Sequence, residues 1–157
     1  MHFHHDTNPE ELFHTMEENG YGSLSPAIDP YDLHELCKDD PTLLSCYQEM
    51  ITYCDRYAHD VFTMIYEQRL LSEMKEKGED TQEMHDELKI IDTNRHHLHE
   101  AMMISVNTLS RELAKREKDI EWMREVSSGG RASYAKFAML TFYKKHSKIV
   151  KSSKLGA

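Results

Sequence analysis

Over residues 84–123 apolar side chains return every three or four positions. Met84, Leu88, Ile91, Leu98, Met102, Val106, Leu109, Leu113, Ile120 and Met123 form the series, with Arg95 and Arg116 standing in its two gaps. That spacing follows one face of an α-helix and predicts a continuous helix over about 81–126. At about 1.5 Å per residue such a helix is near 70 Å long, more than a compact domain of this size needs, so it projects, bends or is covered by a partner. The step from Leu98 through Met102 to Val106 is four plus four, a drift that suits a bundle better than a regular coiled coil.

The run before it has a wider apolar arc. Leu44, Tyr47, Ile51, Cys54, Ala58, Val61 and Ile65 make one stripe, and Leu43, Met50, Tyr57, Met64 and Leu71 make a second, rotated around the same helix. Two stripes need two neighbours, so a helix over about 41–77 belongs at the centre of the domain. One neighbour is the 81–126 helix. The other is a last helix over about 131–150, where Tyr134, Ala135, Phe137, Ala138, Met139, Leu140, Phe142 and Tyr143 are apolar nearly all round. That stretch is too short to span a bilayer and reads as a buried core helix; the sharper alternative makes Tyr134, Phe137, Phe142 and Tyr143 an interface, since aromatics favour interface cores.

Proline and glycine supply the punctuation. All four prolines precede residue 42, and three follow a residue that can cap a helix: Asn8-Pro9, Asp29-Pro30 and Asp40-Pro41. Each pair reads as N-cap and N1, because proline's missing N–H costs nothing in the first turn. Helices are therefore expected from Pro9 to about Asn19, from Pro30 to about Lys38 and from Pro41 onward. Gly78, after Lys75 and Lys77, is the stop of the third. Asp80 and Glu83 then have capping-box spacing for the fourth, and so short a link forces an antiparallel hairpin. Ser127, Ser128, Gly129 and Gly130 separate the fourth helix from the last. The expectation is an all-α antiparallel helical bundle with three long helices (about 41–77, 81–126 and 131–150) and one or two short N-terminal ones. In domain terms, 1–40 is an acidic arm with two short helices, 41–150 the bundle and 151–157 a flexible basic tail.

Composition narrows the class. The chain has 157 residues, 39% of them hydrophobic and 30% charged, with a formal net charge of −9. That is one soluble globular domain with a core of useful size. No apolar run is long enough for a membrane span and no leader pattern opens the chain, so the expected address is the cytoplasm. Cys37, Cys46 and Cys54 are odd in number and lack CxxC spacing, so neither a disulfide scaffold nor a zinc knuckle is expected. The charge falls in blocks: residues 1–37 carry eight acids and no Lys or Arg, whereas residues 131–157 carry seven Lys or Arg and no acid.

Candidate chemistry centres on histidine, of which there are 11. His2, His4 and His5 lie beside Asp6 in a segment that fixes no coordination geometry. Asp92, His96, His99 and Glu100 share a helix at spacings of three and four, and Asp55 and His59 repeat the Asp92–His96 spacing across the hairpin. A zinc, iron or manganese site using Asp55, His59, Asp92, His96 and His99 can be drawn from these residues. At about 100° per residue, however, Asp92 and His99 fall at the edge of the apolar stripe while His96 and Glu100 point away, and the core helices lack a Glu-x-x-His. The main reading therefore has no cofactor and treats the histidines as boundary residues. No phosphate loop, nucleophile elbow or HExxH is present, so no catalytic residue is assigned.

The basic end offers another possibility. Lys144, Lys145, Lys148 and Lys151 follow an aromatic helix and could meet nucleic acid or an acidic partner. The acidic remainder of the chain repels a polyanion, which makes pairing of the acidic arm with this basic segment the stronger alternative. The expected function is protein–protein contact, as a homodimer or adaptor, through the far half of the fourth helix and the aromatic last helix. A His/carboxylate metalloprotein and a nucleic-acid binder are the alternatives.

Overall fold

The computed structural model of the chain describes residues 8–22, 24–25 and 28–155, with side chains up to residue 147. Among them are α1 (Pro9–Glu18), α2 (Leu33–Cys37, led in by a 3-10 turn over Pro30–Asp32), α3 (Pro41–Glu76), α4 (Gln82–Lys115), α5 (Glu121–Ser128) and α6 (Gly130–Leu155). No strand occurs among the described residues, and the fold is all-α.

The three Asx-Pro pairs start helices as their chemistry requires. Asn8 Oδ1 accepts from the Glu10 N–H at 2.8 Å, Asp29 Oδ1 from Tyr31 at 3.0 Å, and Asp40 Oδ1 from Thr42 and Leu43 at 3.0 and 3.2 Å. Each oxygen thus takes up one or two amides that the first turn leaves unpaired. Asp80 acts one residue outside the cap position, its Oδ1 accepting from the Gln82 N–H at 3.1 Å.

At its far end α3 closes in a Schellman turn. The Gly78 N–H donates to the Lys75 carbonyl and the Glu79 N–H to that of Met74, with Gly78 at φ +71°. The chain then reverses, and α4 returns along α3. Two pairs far apart along the hairpin give its direction: Asn94 bonds Asp60 at 2.7 Å, and Arg116 Nε bonds Asp40 at 2.6 Å.

The continuous 81–126 helix expected from periodicity is two helices. After Lys115 the Glu117 N–H donates to Ala114 O and the Lys118 N–H to Leu113 O, while Glu117 itself takes φ +56°. This is a second Schellman turn, built without glycine. Arg116 anchors it, reaching Asp40 as well as the side chain and carbonyl of Glu112 at 2.7 and 2.9 Å. The physical reason for the break is the apolar content of α5. Bending back lets this helix lay Met123 and Val126 into the core and Trp122 against Phe137, with ring centroids 5.7 Å apart, where a straight helix would project them into water.

As its two stripes require, α3 is the centre, with α4 on one side and α6 on the other. Met50, Cys54, Tyr57, Ala58 and Phe62 of α3 share one core with Met102, Val106, Leu109 and Leu113 of α4 and Phe137, Ala138 and Phe142 of α6. Phe62 and Phe142 meet at 5.3 Å. The N-terminal segment belongs to the same core through Leu12, Met16, Ile28, Leu33 and Cys37. The helix α6 continues to Leu155, past the Val150 at which the periodic pattern ends.

Candidate functional site

The five side chains drawn as a metal set are distributed among separate local contacts. Asp55, on α3, accepts from Lys145 Nζ of α6 at 3.1 Å. Asp92 Oδ1 accepts from Arg95 Nη2 at 2.6 Å and Nε at 3.2 Å, and this guanidinium holds its carboxyl below the usual carboxylate range. His96 is 62% exposed, its Nε2 lying 3.7 Å from Asp92 Oδ1. His59 lines a groove of about 410 Å³ between α3 and α4 together with Asp55, Arg56, Asp60, Asn94 and Leu98.

His99 alone of the five is buried. Its ring stands edge-on to Tyr57 at 5.3 Å, and Nε2 lies 3.1 Å from the Arg131 carbonyl. That carbonyl can only accept, so the proton sits on Nε2 and leaves Nδ1 bare in an apolar site. Burial pushes the imidazole pKa down, with the bond to Arg131 opposing the shift. His99 therefore works as a neutral core residue that ties α4 to the start of α6. Among the described residues no three His, Cys, Asp or Glu side chains gather closely enough to hold a metal ion. The five candidates do not converge. His2, His4, His5 and Asp6 lie outside the described residues.

Arg95, which interrupts the apolar series, fills its gap by bridging. It bonds Asp92 and also the Tyr57 hydroxyl, whose pKa burial raises to about 12. The three thiols are free, Cys37 and Cys54 buried and Cys46 half-buried, and burial raises the pKa of each. None sits in the exposed electropositive surroundings that make a thiol reactive.

The aromatic set packs largely within the chain. Tyr134, Phe137 and Phe142 are buried within the chain's own core, and Tyr134 donates its hydroxyl to Asn107 Oδ1 at 2.5 Å. Tyr143 is half-buried against Phe13, ring centroids 5.3 Å apart. The α6 face that carries Tyr134, Phe137 and Phe142 thus contributes to the chain's own core. Of the basic set, Lys144 donates to the Ile28 carbonyl at 2.5 Å and Lys145 to Asp55. The side chains of Lys148 and Lys151 lie outside the described residues.

The large apolar side chains left exposed among the described residues are Phe13 on α1, at 40%, and two on the outer face of α4. Ile90 and Ile104 are 71% and 63% exposed, while the other large apolar residues of this helix are buried or half-buried. Periodicity directed attention to the opposite face, where Met102, Val106 and Leu109 lie. The signal for the outer face was nonetheless in the chain: Ile90 and Ile104 stand 14 residues apart, which returns them to the same side of a helix away from the periodic stripe.

The fold is an all-α helical bundle with two isoleucines left exposed on the outer face of α4. Compared with protein-family models, with curated proteins and with solved structures, the chain matches none. No helix among the described residues is long and apolar enough to cross a membrane.

Proposed function

We propose that this chain is a protein–protein contact module and that the outer face of α4 is its contact surface. The observation that carries the reading is the exposure of Ile90 and Ile104 on one line of a helix otherwise polar toward solvent. Fully burying an isoleucine is worth roughly 1.5–3 kcal/mol, so two left in water on one face supply a driving force for association that the folded chain does not use. The helix beneath packs on α3 and is tied at its end through Arg116 to Asp40. A surface already held in place loses less conformational freedom on binding.

A photoreactive residue in place of Ile104 tests this reading in cells that make the chain. A discrete crosslinked adduct is expected, and it should disappear when Ile90→Asp is added. The same probe in place of Gln48, which is exposed on α3, should give none. No adduct at Ile104, or an equally strong one at Gln48, refutes the proposal.

A further inference from the structure

His99 and Glu100, neighbours on α4, hold the two ends of one residue of α6. The imidazole Nε2–H donates to the Arg131 carbonyl at 3.1 Å, and Glu100 accepts from the Arg131 guanidinium at 2.5 Å. Arg131 stands in the first turn of α6, where residues 128–132 are all exposed and the first large buried side chain is Tyr134. The next polar tie to α4, from Tyr134 to Asn107, lies about one turn further along α6. The Glu100 contact is exposed on both sides, and such pairs are worth little in water. That leaves the bond from the buried His99 ring as the principal hold on the turn.

The His99 site is built for the neutral ring alone. Nδ1 is buried and has no hydrogen-bond partner among the described residues, whereas an imidazolium carries a proton on both nitrogens and needs an acceptor for each. The ring meets Tyr57 of α3. The charged groups around it are Arg95 and Glu100 on α4 and Arg131 on α6: both guanidiniums repel a positive charge there, and the exposed Glu100 attracts one. A second N–H with no acceptor, on a charged ring taken out of water, is costly enough that a protonated His99 does better outside the site.

We infer that His99 is an acid-sensitive latch on the start of α6: on taking a proton its side chain leaves the site, the Arg131 carbonyl loses its donor, and the first turn of α6 opens while the α3 core stays closed. In an α-helix the carbonyl of residue 131 also accepts from the N–H of residue 135, so the latch and the first hydrogen bonds of α6 share an atom. The sign follows from linkage. Burial keeps the closed ring from binding the proton until well into acid, and the open ring binds it at the ordinary value of about 6.5. The latch is therefore shut above that pH and loosens as the pH falls below it. The opening is confined to one turn, which separates it from a loss of stability of the whole fold.

Amide hydrogen exchange of the full chain, followed residue by residue by NMR, tests the inference. The N–H groups of residues 134–137, which depend on the carbonyls of the first turn, should be less protected than those of residues 50–62 at the centre of α3. Corrected for intrinsic rate, their protection should fall severalfold, up to about tenfold, between about pH 7.5 and about pH 5.5. Low urea should change their rates little, because a one-turn opening exposes little surface. His99→Gln keeps a neutral donor for the Arg131 carbonyl at every pH and should remove the acid response. His99→Met, which has no group to titrate, makes the same comparison if circular dichroism shows that the glutamine variant has lost helicity. Protection at residues 134–137 equal to that of the α3 centre, no response to acid in the wild type, or the same response in a folded variant would each overturn the inference.

Discussion

Glu117→Gly is expected to stabilise the fold, although it removes a charged side chain and adds a flexible residue. Glu117 holds φ +56° at the position where α3 uses Gly78 at +71°, in a turn closed by the same two backbone bonds. A β-carbon in the left-handed region costs roughly 1–2 kcal/mol. Glycine's greater freedom in the unfolded chain takes back about 0.4–1 kcal/mol, which leaves a net gain of roughly 0.5–1 kcal/mol. For a chain of this size that is a rise in melting temperature of about 1–4 °C. The measurement is thermal and urea unfolding of the wild type, Glu117→Gly and Glu117→Ala, the last removing the carboxylate while keeping the β-carbon. Alanine should stay within about 0.5 kcal/mol of wild type, because no ion pair of Glu117 is among the described contacts. Gly78→Ala is the mirror experiment. An added β-carbon there meets no atom within 4 Å, so only the backbone conformation is tested, and a loss of about 1 kcal/mol is expected. A glycine variant no more stable than the alanine variant would refute the claim that the turn after α4 is held against its residue's own preference.

Two further predictions concern the core. Phe62→Ala should cost about 3–5 kcal/mol in urea unfolding, because Phe62 is fully buried against Phe142 where three helices meet, and a cost below 1 kcal/mol would show that the site is not packed in this way. His99 should make stability fall with acid: its folded pKa lies below the ordinary 6.5, so the unfolded chain binds the proton first, and its contribution is present above pH 6.5 and lost as the pH falls toward the folded value. His99→Gln should flatten that part of the stability–pH curve, and an imidazole proton resonance titrating at or above 6.5 in the folded protein would contradict its placement.

The legible parts of the fold are those whose residues act locally. Asn8, Asp29 and Asp40 announce helix starts because a cap needs one oxygen within three residues, and Gly78 announces a stop because glycine alone takes a positive φ cheaply. The turn at Arg116–Ile120 has neither signal. It forms because Arg116 reaches Asp40, 76 positions away, and because Trp122 and Met123 find α6, so its cause is tertiary and the residue at its left-handed position is a glutamate. The histidines behave similarly. The angular count places His99 at the stripe edge and His96 outside it, and both are found there, but no count along one helix tells that the Arg131 carbonyl and the Tyr57 ring await His99.

Charge follows the same rule, and it bears on the contact surface. Three side chains of the basic block from Arg131 onward are paired within the chain: Lys144 holds the backbone of the N-terminal segment at Ile28, Lys145 holds Asp55, and Arg131 bonds Glu100 at 2.5 Å. Each of these three contacts fastens α6 to another element of the same chain. Two charges on the outer face of α4 are used differently. Asp86 takes a hydrogen bond only from Gln82 one turn back, and Arg111 makes a long 3.5 Å contact with Thr108, among the described bonds. Neither contact holds another element in place, and local pairs on an exposed helix are worth only a few tenths of a kcal/mol. A charged side chain with so little to hold within its own chain gives up little when an opposite charge approaches from outside. That difference, between Lys145 committed to Asp55 and Arg111 committed to nothing distant, is consistent with the proposal that places the contact surface on α4 rather than α6.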